Sequence, residues 1–210
     1  MRVSVVSFGP ERECPPTVAR LHAELLRGDP LAAAGPLFLE HFYYRHLPRD
    51  GGLFGAVAVV EGREAGFVAL SPDPWRTLDE GKRRYRGEFA AVAMVSLLRR
   101  PLASLTAWRR LRRRGTFAPG PPGTGELVAL AVLPELRGPR EDLDGRSLAH
   151  ALLARAVLRL RDEGYRGIRA RVAPDDARAA RFFVRERWTR REPAGPEARS
   201  RDEWSLDWGG

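Results

Sequence analysis

At 210 residues, with 43% hydrophobic and 30% charged residues, the chain reads as one soluble globular domain with room for an ordinary core. No apolar run reaches the roughly 20 residues of a membrane-spanning helix, and Met1–Ser7 lacks the basic start and apolar stretch of a signal peptide. Cys14 is the single cysteine, which excludes a disulfide framework and a cysteine-based metal cluster and makes a reducing cytoplasm the expected compartment. Alternation and valine content predict a first strand over Arg2–Ser7. Pro15, Pro16 and Thr17 open a helix with Val18, Leu21, Leu25 and Leu26 at helical spacing, and Gly28 stops it. Pro36–Leu47 is a second helical stretch, apolar and aromatic. Leu53–Val60 and Ala65–Leu70 read as a hairpin turning at Glu61-Gly62-Arg63. A stretch from about 73 to 124 interrupts this layout. It starts as a loop at Pro72, Pro74 and Trp75, and Glu88–Leu98 is then apolar almost all round, as in a buried or lipid-facing helix. After Pro101, a basic amphipathic helix carries Leu102, Leu105, Trp108 and Leu111 every third position, and Ala118–Gly125 is a Pro/Gly-rich linker. Glu126–Val132 is a strand, Gly145–Glu163 a long helix, Ile168–Val172 a strand and Pro174–Arg187 a helix with proline in its first turn. Trp188–Arg191 and Glu203–Trp208 are the last strands.

The net charge of +9 is concentrated in one region. Between Lys82 and Arg114 stand eleven positive residues and one acid, Glu88, so this segment carries 11 − 1 = +10 and the remainder 9 − 10 = −1. Such a field favours an acidic partner: a phosphorylated cofactor, an acidic carrier protein, anionic lipid or nucleic acid. A solvated helix face in an arginine-biased composition accounts for it equally well. No recognition motif supports nucleic-acid binding, which ranks last.

Chemistry concentrates in Glu126–Leu153. Small residues in Gly145-Arg146-Ser147-Leu148-Ala149 open an amphipathic helix, whose unpaired N–H groups are suited to a pyrophosphate. Glu-Leu-Val-Ala-Leu-Ala-Val-Leu-Pro-Glu-Leu-Arg-Gly (126–138) and Gly145–Leu153 together resemble the fourth strand, acyl-CoA loop and following helix of the GNAT superfamily, whose loop runs Gln/Arg-x-x-Gly-x-Gly/Ala. Asp176–Trp188 resembles that family's Asn-x-x-Ala-x-x-Phe-Tyr-x-x-x-Gly-Phe. The resemblance covers residues 126–191 closely and 17–72 loosely, and omits the insertion.

The resemblance implies a single 1–210 α/β domain with a GNAT-type, mostly antiparallel mixed sheet, helices on both faces and a splay between the fourth and fifth strands. It implies an acyltransferase that moves an acetyl or longer acyl group from acetyl-CoA or another acyl-CoA, or from an acyl carrier protein, to an amine or hydroxyl of a small molecule or peptide. Transfer is by direct attack in a ternary complex, without a metal. Glu126 corresponds to the general base of some members. Leu130, Ala131 and Val132 correspond to the strand that pairs with pantetheine, with the N–H of Val132 facing the oxyanion. Arg137, Gly138, Gly145, Arg146, Ser147, Leu148 and Ala149 correspond to the phosphate loop, Asp176 and Phe183 to further cofactor contacts, and His41, Tyr43 and Tyr44 to the acceptor side.

Three departures stand out. Pro139–Asp144 lengthen the phosphate loop and bring in Glu141, Asp142 and Asp144, whose charge opposes a pyrophosphate. Phe183 stands where members often have a tyrosine acting as general acid, and Asp176 and Arg187 replace the usual Asn and Gly. The basic insertion is expected to cap the acceptor site, dock a carrier protein, touch an anionic membrane through 82–114, or form a dimer interface, so the chain is a monomer or homodimer. A GNAT-like fold that binds a partner without catalysis is the alternative function.

Overall fold

The computed structural model describes residues 2–99, 121–191 and 202–208. The expected helix from Leu102 to Arg114 lies outside the described residues. A seven-stranded sheet runs in the order β1-β2-β3-β4-β7-β9-β8. Its strands are β1 (Val3–Phe8), β2 (Phe54–Val60), β3 (Arg63–Ser71), β4 (Thr124–Val132), β7 (Gly167–Val172), β8 (Thr189–Arg191) and β9 (Asp202–Asp207). All neighbours are antiparallel except the β4–β7 pair. Two short strands, β5 (Pro139–Arg140) and β6 (Arg146–Ser147), form a separate ribbon.

The β2–β3 hairpin turns on Glu61 and Gly62, at φ 51° and 80°. Two consecutive positive φ values are what a tight hairpin turn requires, so Gly62 is the residue type the turn needs. One sheet face packs against α1 (Pro16–Leu25), α2 (Pro30–Ala33), α3 (Pro36–Phe38), a π-helical turn (Leu39–Tyr43) and α4 (Tyr44–His46). The segment expected as one helix over Pro36–Leu47 is therefore continuous but widened by the π turn. The other face packs against α7 (Leu148–Asp162) and α8 (Ala177–Arg185). Leu148, Leu152, Leu153, Ala156 and Leu160 supply the buried stripe of α7 at the helical period.

Three expectations need correction. The segment beginning at Pro72 and Pro74 is not a loop: α5 (Pro74–Arg84) starts there, with the Asp73 carboxylate accepting from the Arg76 N–H and proline in its first turn. That is an ordinary helix start, which the two prolines obscured. The long helix begins at Leu148, not Gly145, because Ser147 caps it through a 3.2 Å bond from the His150 N–H. The next helix begins at Ala177, capped by Asp176, so Pro174 precedes its first turn. The apolar segment expected as Glu88–Leu98 is α6 (Arg86–Arg99).

Candidate functional site

The site arises where β4 and β7 part. Their parallel pairing runs only from Thr124↔Gly167 to Leu127↔Ala170. At the same level β4 bulges against β3, where Leu70 faces Leu127 and Ala69 faces Ala129, leaving Val128 as the extra residue. A bulge bends its strand and redirects the residues beyond it. Past that point β4 leaves β7, and a cleft of about 690 Å³ opens between them.

One wall of the cleft is the backbone of β4. The Leu133 N–H bonds to the Ala65 carbonyl, so in an antiparallel ladder Ala131 and Ala129 address β3, while Leu130 and Val132 turn their N–H and C=O groups to the fork. The Arg137 Nε donates to the Val132 carbonyl at 2.7 Å, which agrees with that orientation. The opposite wall is α8, from Asp176 through Ala179 to Phe182, Phe183 and Arg185. Phe183 is buried against Trp188 and Trp204, at ring centroid distances of 4.6 and 5.8 Å. The position is an apolar box with no proton to give.

The lengthened loop is resolved by the β5–β6 ribbon. Pro139 pairs with Ser147 and Arg140 with Arg146, so Pro139–Arg146 fold out as a hairpin and bring Gly138 beside Ser147. Arg137, Gly138, Ser147 and Ala149 line the cleft together. Gly138 has φ 118°, which favours glycine at that point. Ser147 and Ala149 stand at the start of α7, where the first N–H groups have no partner within the helix. Glu141, Asp142 and Asp144 sit on the hairpin tip outside the cleft lining, and Arg140 pairs with Asp142 at 3.0 Å. Gly145 and Arg146 belong to the hairpin, and Leu148 is core, so none of the three lines the cleft. Asp176 lines it while its side chain caps α8 by accepting from the Ala179 N–H at 2.9 Å.

The cleft is positively lined. Arg27, Arg137, Arg171, Arg178, Arg181 and Arg185 face it against Asp29 and Asp176. Burial, and then the Arg178 charge, lower the Arg137 pKa from its usual value. Guanidinium groups crowded in this way are relieved by a bound anion.

At the end under the α1–α2 turn, Asp29 lines the cleft with its side chain 22% exposed. Its Oδ1 accepts the Leu31 N–H at 2.7 Å and lies 3.4 Å from Nε2 of His22, a fully buried residue. On its other side, His22 Nδ1 is 2.7 Å from the Tyr44 hydroxyl. With that hydroxyl donating, the ring proton sits on Nε2, which makes no hydrogen bond to a described residue. Neither Asp29 nor His22 stood out in the sequence. The one available signal was Asp29-Pro30, a helix-capping pair at the end of the first helix.

Tyr43 and Tyr44 are buried and His41 is exposed, and none of the three lines the cleft. Burial, then the charges of Asp29 and Glu126, push the Tyr43 hydroxyl well above its usual range, so it is neutral. Glu126 is 5% exposed and does not line the cleft either. Its carboxylate is 2.6 Å from the Arg169 guanidinium and 3.5 Å from that of Arg171, while Glu203 stands 3.9 Å from Arg169. Burial raises the Glu126 pKa against the pull of Arg171 and Arg169. Glu126→Gln leaves two buried guanidinium groups short of a counter-charge. It is expected to cost about 3 kcal/mol, and the melting temperature should fall by about 6–12 °C in calorimetry. An unchanged melting temperature would show that the cluster has no structural role. Among the described residues, no group of three or more His, Cys, Asp or Glu is placed to hold a metal ion.

No protein-family model matches the chain, and no curated protein matches it in sequence. Solved structures match along its whole length. An agmatine N-acetyltransferase is 21% identical, with a TM-score of 0.53 over 98% of this chain and 100% of the other. An acetyltransferase of the GNAT family from Staphylococcus aureus is 9% identical, with a TM-score of 0.54 over 98% and 99%. The PaiA N-acetyltransferase of Thermoplasma acidophilum, in complex with coenzyme A, is 10% identical, with a TM-score of 0.50 over 99% and 100%. With its mostly antiparallel sheet, its one parallel β4–β7 pair and the cleft where that pair opens, the chain has the fold of the GNAT acetyltransferases.

Proposed function

We propose that the protein is an acyl-CoA-dependent N-acyltransferase whose donor lies in the β4–β7 cleft. The observation that carries this reading is the joint placement of Arg137, Gly138, Ser147 and Ala149 at one corner of a positively lined cleft. The pyrophosphate is held there by the N–H groups at the start of α7, with the arginines of α8 and Arg137 neutralising its charge. The pantetheine arm extends along β4 and pairs with the free edge at Leu130 and Val132. The acceptor is an amine that enters from the Asp29 end, as suits a chain sharing its fold with an agmatine N-acetyltransferase.

In the reaction, the amine nitrogen attacks the thioester carbonyl carbon. The C–N bond forms, the C–S bond breaks and CoA leaves as the thiolate. The proton lost by nitrogen goes to the Asp29 carboxylate, the acid at the end of the cleft away from Asp176, whose side chain caps α8. The Leu31 N–H orients that carboxylate, with the buried His22–Tyr44 pair behind it. Backbone N–H groups of β4 at the fork stabilise the oxyanion. Glu126, expected from the resemblance to be the base, instead holds Arg169 and Arg171 in place. Phe183 leaves the thiolate without a side-chain acid, and solvent protonates it after release.

The test is acetyl-CoA with agmatine, other primary amines and peptide N-termini. A thiol reagent detects released CoA, and mass spectrometry the N-acyl product. Amine-dependent thiol release with one acyl group added per thiol supports the proposal. Absence of release with acetyl-CoA and with longer acyl-CoAs overturns it and favours a binding module without catalysis. Replacing Glu141, Asp142 and Asp144 with their amides is expected to change CoA affinity by no more than about twofold in calorimetry, because charges on an exposed hairpin are screened. A gain of tenfold would mean that these acids do oppose the phosphates.

A further inference from the structure

Helix α6 is apolar on two sides, and among the described residues nothing covers one of them. Phe89 and Val92 pack towards the N-terminal core, the Phe89 ring 5.1 Å from Phe42, and Ser96 is buried on the same side. On the opposite side Met94, Val95, Leu97 and Leu98 are 59%, 40%, 36% and 77% exposed. At 3.6 residues per turn these four share one sector with Gly87, Ala90 and Ala91, which are also exposed. That sector contains no charged or hydrogen-bonding side chain. Single exposed hydrophobics are ordinary, but a contiguous strip of this length marks a contact surface.

The rim of the strip is basic. Arg86 and Arg99 end the helix, and Lys82, Arg83 and Arg84 form the last turn of α5 beside it, with Arg83 paired to Asp79 at 2.7 Å and Arg84 to Asp50 at 3.3 Å. Against Glu88, residues 82–99 carry 5 − 1 = +4. The sequence continues with six more arginines and no acid up to Arg114, all of them outside the described residues.

We propose that this face of α6 docks on an anionic lipid surface. The apolar strip enters the boundary between headgroups and acyl chains, and the basic rim meets the headgroup phosphates. An apolar centre with a cationic margin is the arrangement such a surface takes. A two-fold pairing of copies is disfavoured, since it sets Arg86 against Arg99 or against its own equivalent. An acidic protein is less suited to a patch whose centre offers no charge or hydrogen-bond donor. No helix among the described residues is long and apolar enough to cross a membrane, so the contact is peripheral.

The proposal is tested by sedimenting the full chain with phosphatidylcholine vesicles, with and without phosphatidylglycerol. The chain is expected to pellet with the phosphatidylglycerol vesicles and to stay in solution with phosphatidylcholine alone. The double variant Met94→Gln/Leu98→Gln keeps the net charge and loses the apolar strip. It should partition about tenfold less or weaker still, with an unchanged melting curve because both positions are exposed. Failure of the native chain to bind phosphatidylglycerol vesicles overturns the proposal. So does equal partition of the variant, which would assign binding to the arginines alone. A native dimer that the variant dissociates would overturn it in favour of a second copy, and capture of an acyl carrier protein lost in the variant would do so in favour of a protein partner. These measurements do not involve acyl transfer, so their failure leaves the donor-cleft proposal untouched.

Discussion

Asp29→Asn is expected to lower kcat for amine acylation by about 10²- to 10⁴-fold, with the KM for acyl-CoA near its native value. An amine that is protonated in solution must lose protons before and during attack, and Asp29 is the acid that lines the Leu25–Asp29 end of the cleft. Its Oδ1 accepts the Leu31 N–H at 2.7 Å, and the buried His22 ring lies 3.4 Å away without a hydrogen bond to it. Asparagine caps a helix about as well as aspartate. The α2 turn should therefore survive, and the loss would belong to the chemistry. A pH–rate profile separates a base from a scaffold. The deficit of the variant should shrink as pH rises towards the pKa of the acceptor, where the amine arrives already neutral. A deficit constant at every pH, or a loss confined to the KM of the acceptor, would reassign Asp29 to binding alone.

His22 is completely buried and cannot touch a substrate. Its Nδ1 is 2.7 Å from the Tyr44 hydroxyl, while its Nε2 lies 3.4 Å from Asp29 without a hydrogen bond. Of the residues expected on the acceptor side, Tyr44 therefore contacts His22 and Tyr43 is buried, and neither lines the cleft.

How far the sequence revealed the molecule depends on whether the determining interaction is local. Alternation in Val3–Phe8 and Phe54–Val60 and the Glu61-Gly62 turn are local, and the predicted hairpin matches the observed one within a residue or two. The resemblance around 126–138 and 176–188 indicated the sheet and its splay, and both are present. The phosphate loop was harder, because its key event is pairing across a gap. Nothing in Pro139–Arg146 read in order says that Pro139 will face Ser147 and place Gly138 at the start of α7. The ribbon folds Pro139–Arg146 out, and Arg137, Gly138, Ser147 and Ala149 line one cleft.

Asp29 and Glu126 show the same limit in side chains. A glutamate at the start of β4 resembles a base by position. Its ion-pair partners are not visible there: Arg169, its register partner on β7, and Arg171, two residues further along, are more than forty residues away in sequence. A lone aspartate before a proline resembles only a helix cap. Its exposure to the cleft follows from where the α1–α2 turn settles on the sheet. Helix α5 was obscured for a local reason: Pro72 and Pro74 read as loop formers, although Asp73 followed by proline also opens a helix.

The donor cleft is tested most directly by isothermal titration of CoA and acetyl-CoA into the native chain and into Ala149→Glu. Ala149 lines the cleft in the first turn of α7. A carboxylate there agrees with the helix dipole and should leave the apo melting temperature unchanged or slightly raised. With the donor placed as proposed, the same carboxylate stands against the pyrophosphate at close range. CoA is expected to bind the native chain and to bind Ala149→Glu at least about 100-fold more weakly. Absence of CoA binding to the native chain, or equal affinity in the folded variant, would contradict the placement of the donor between β4 and β7.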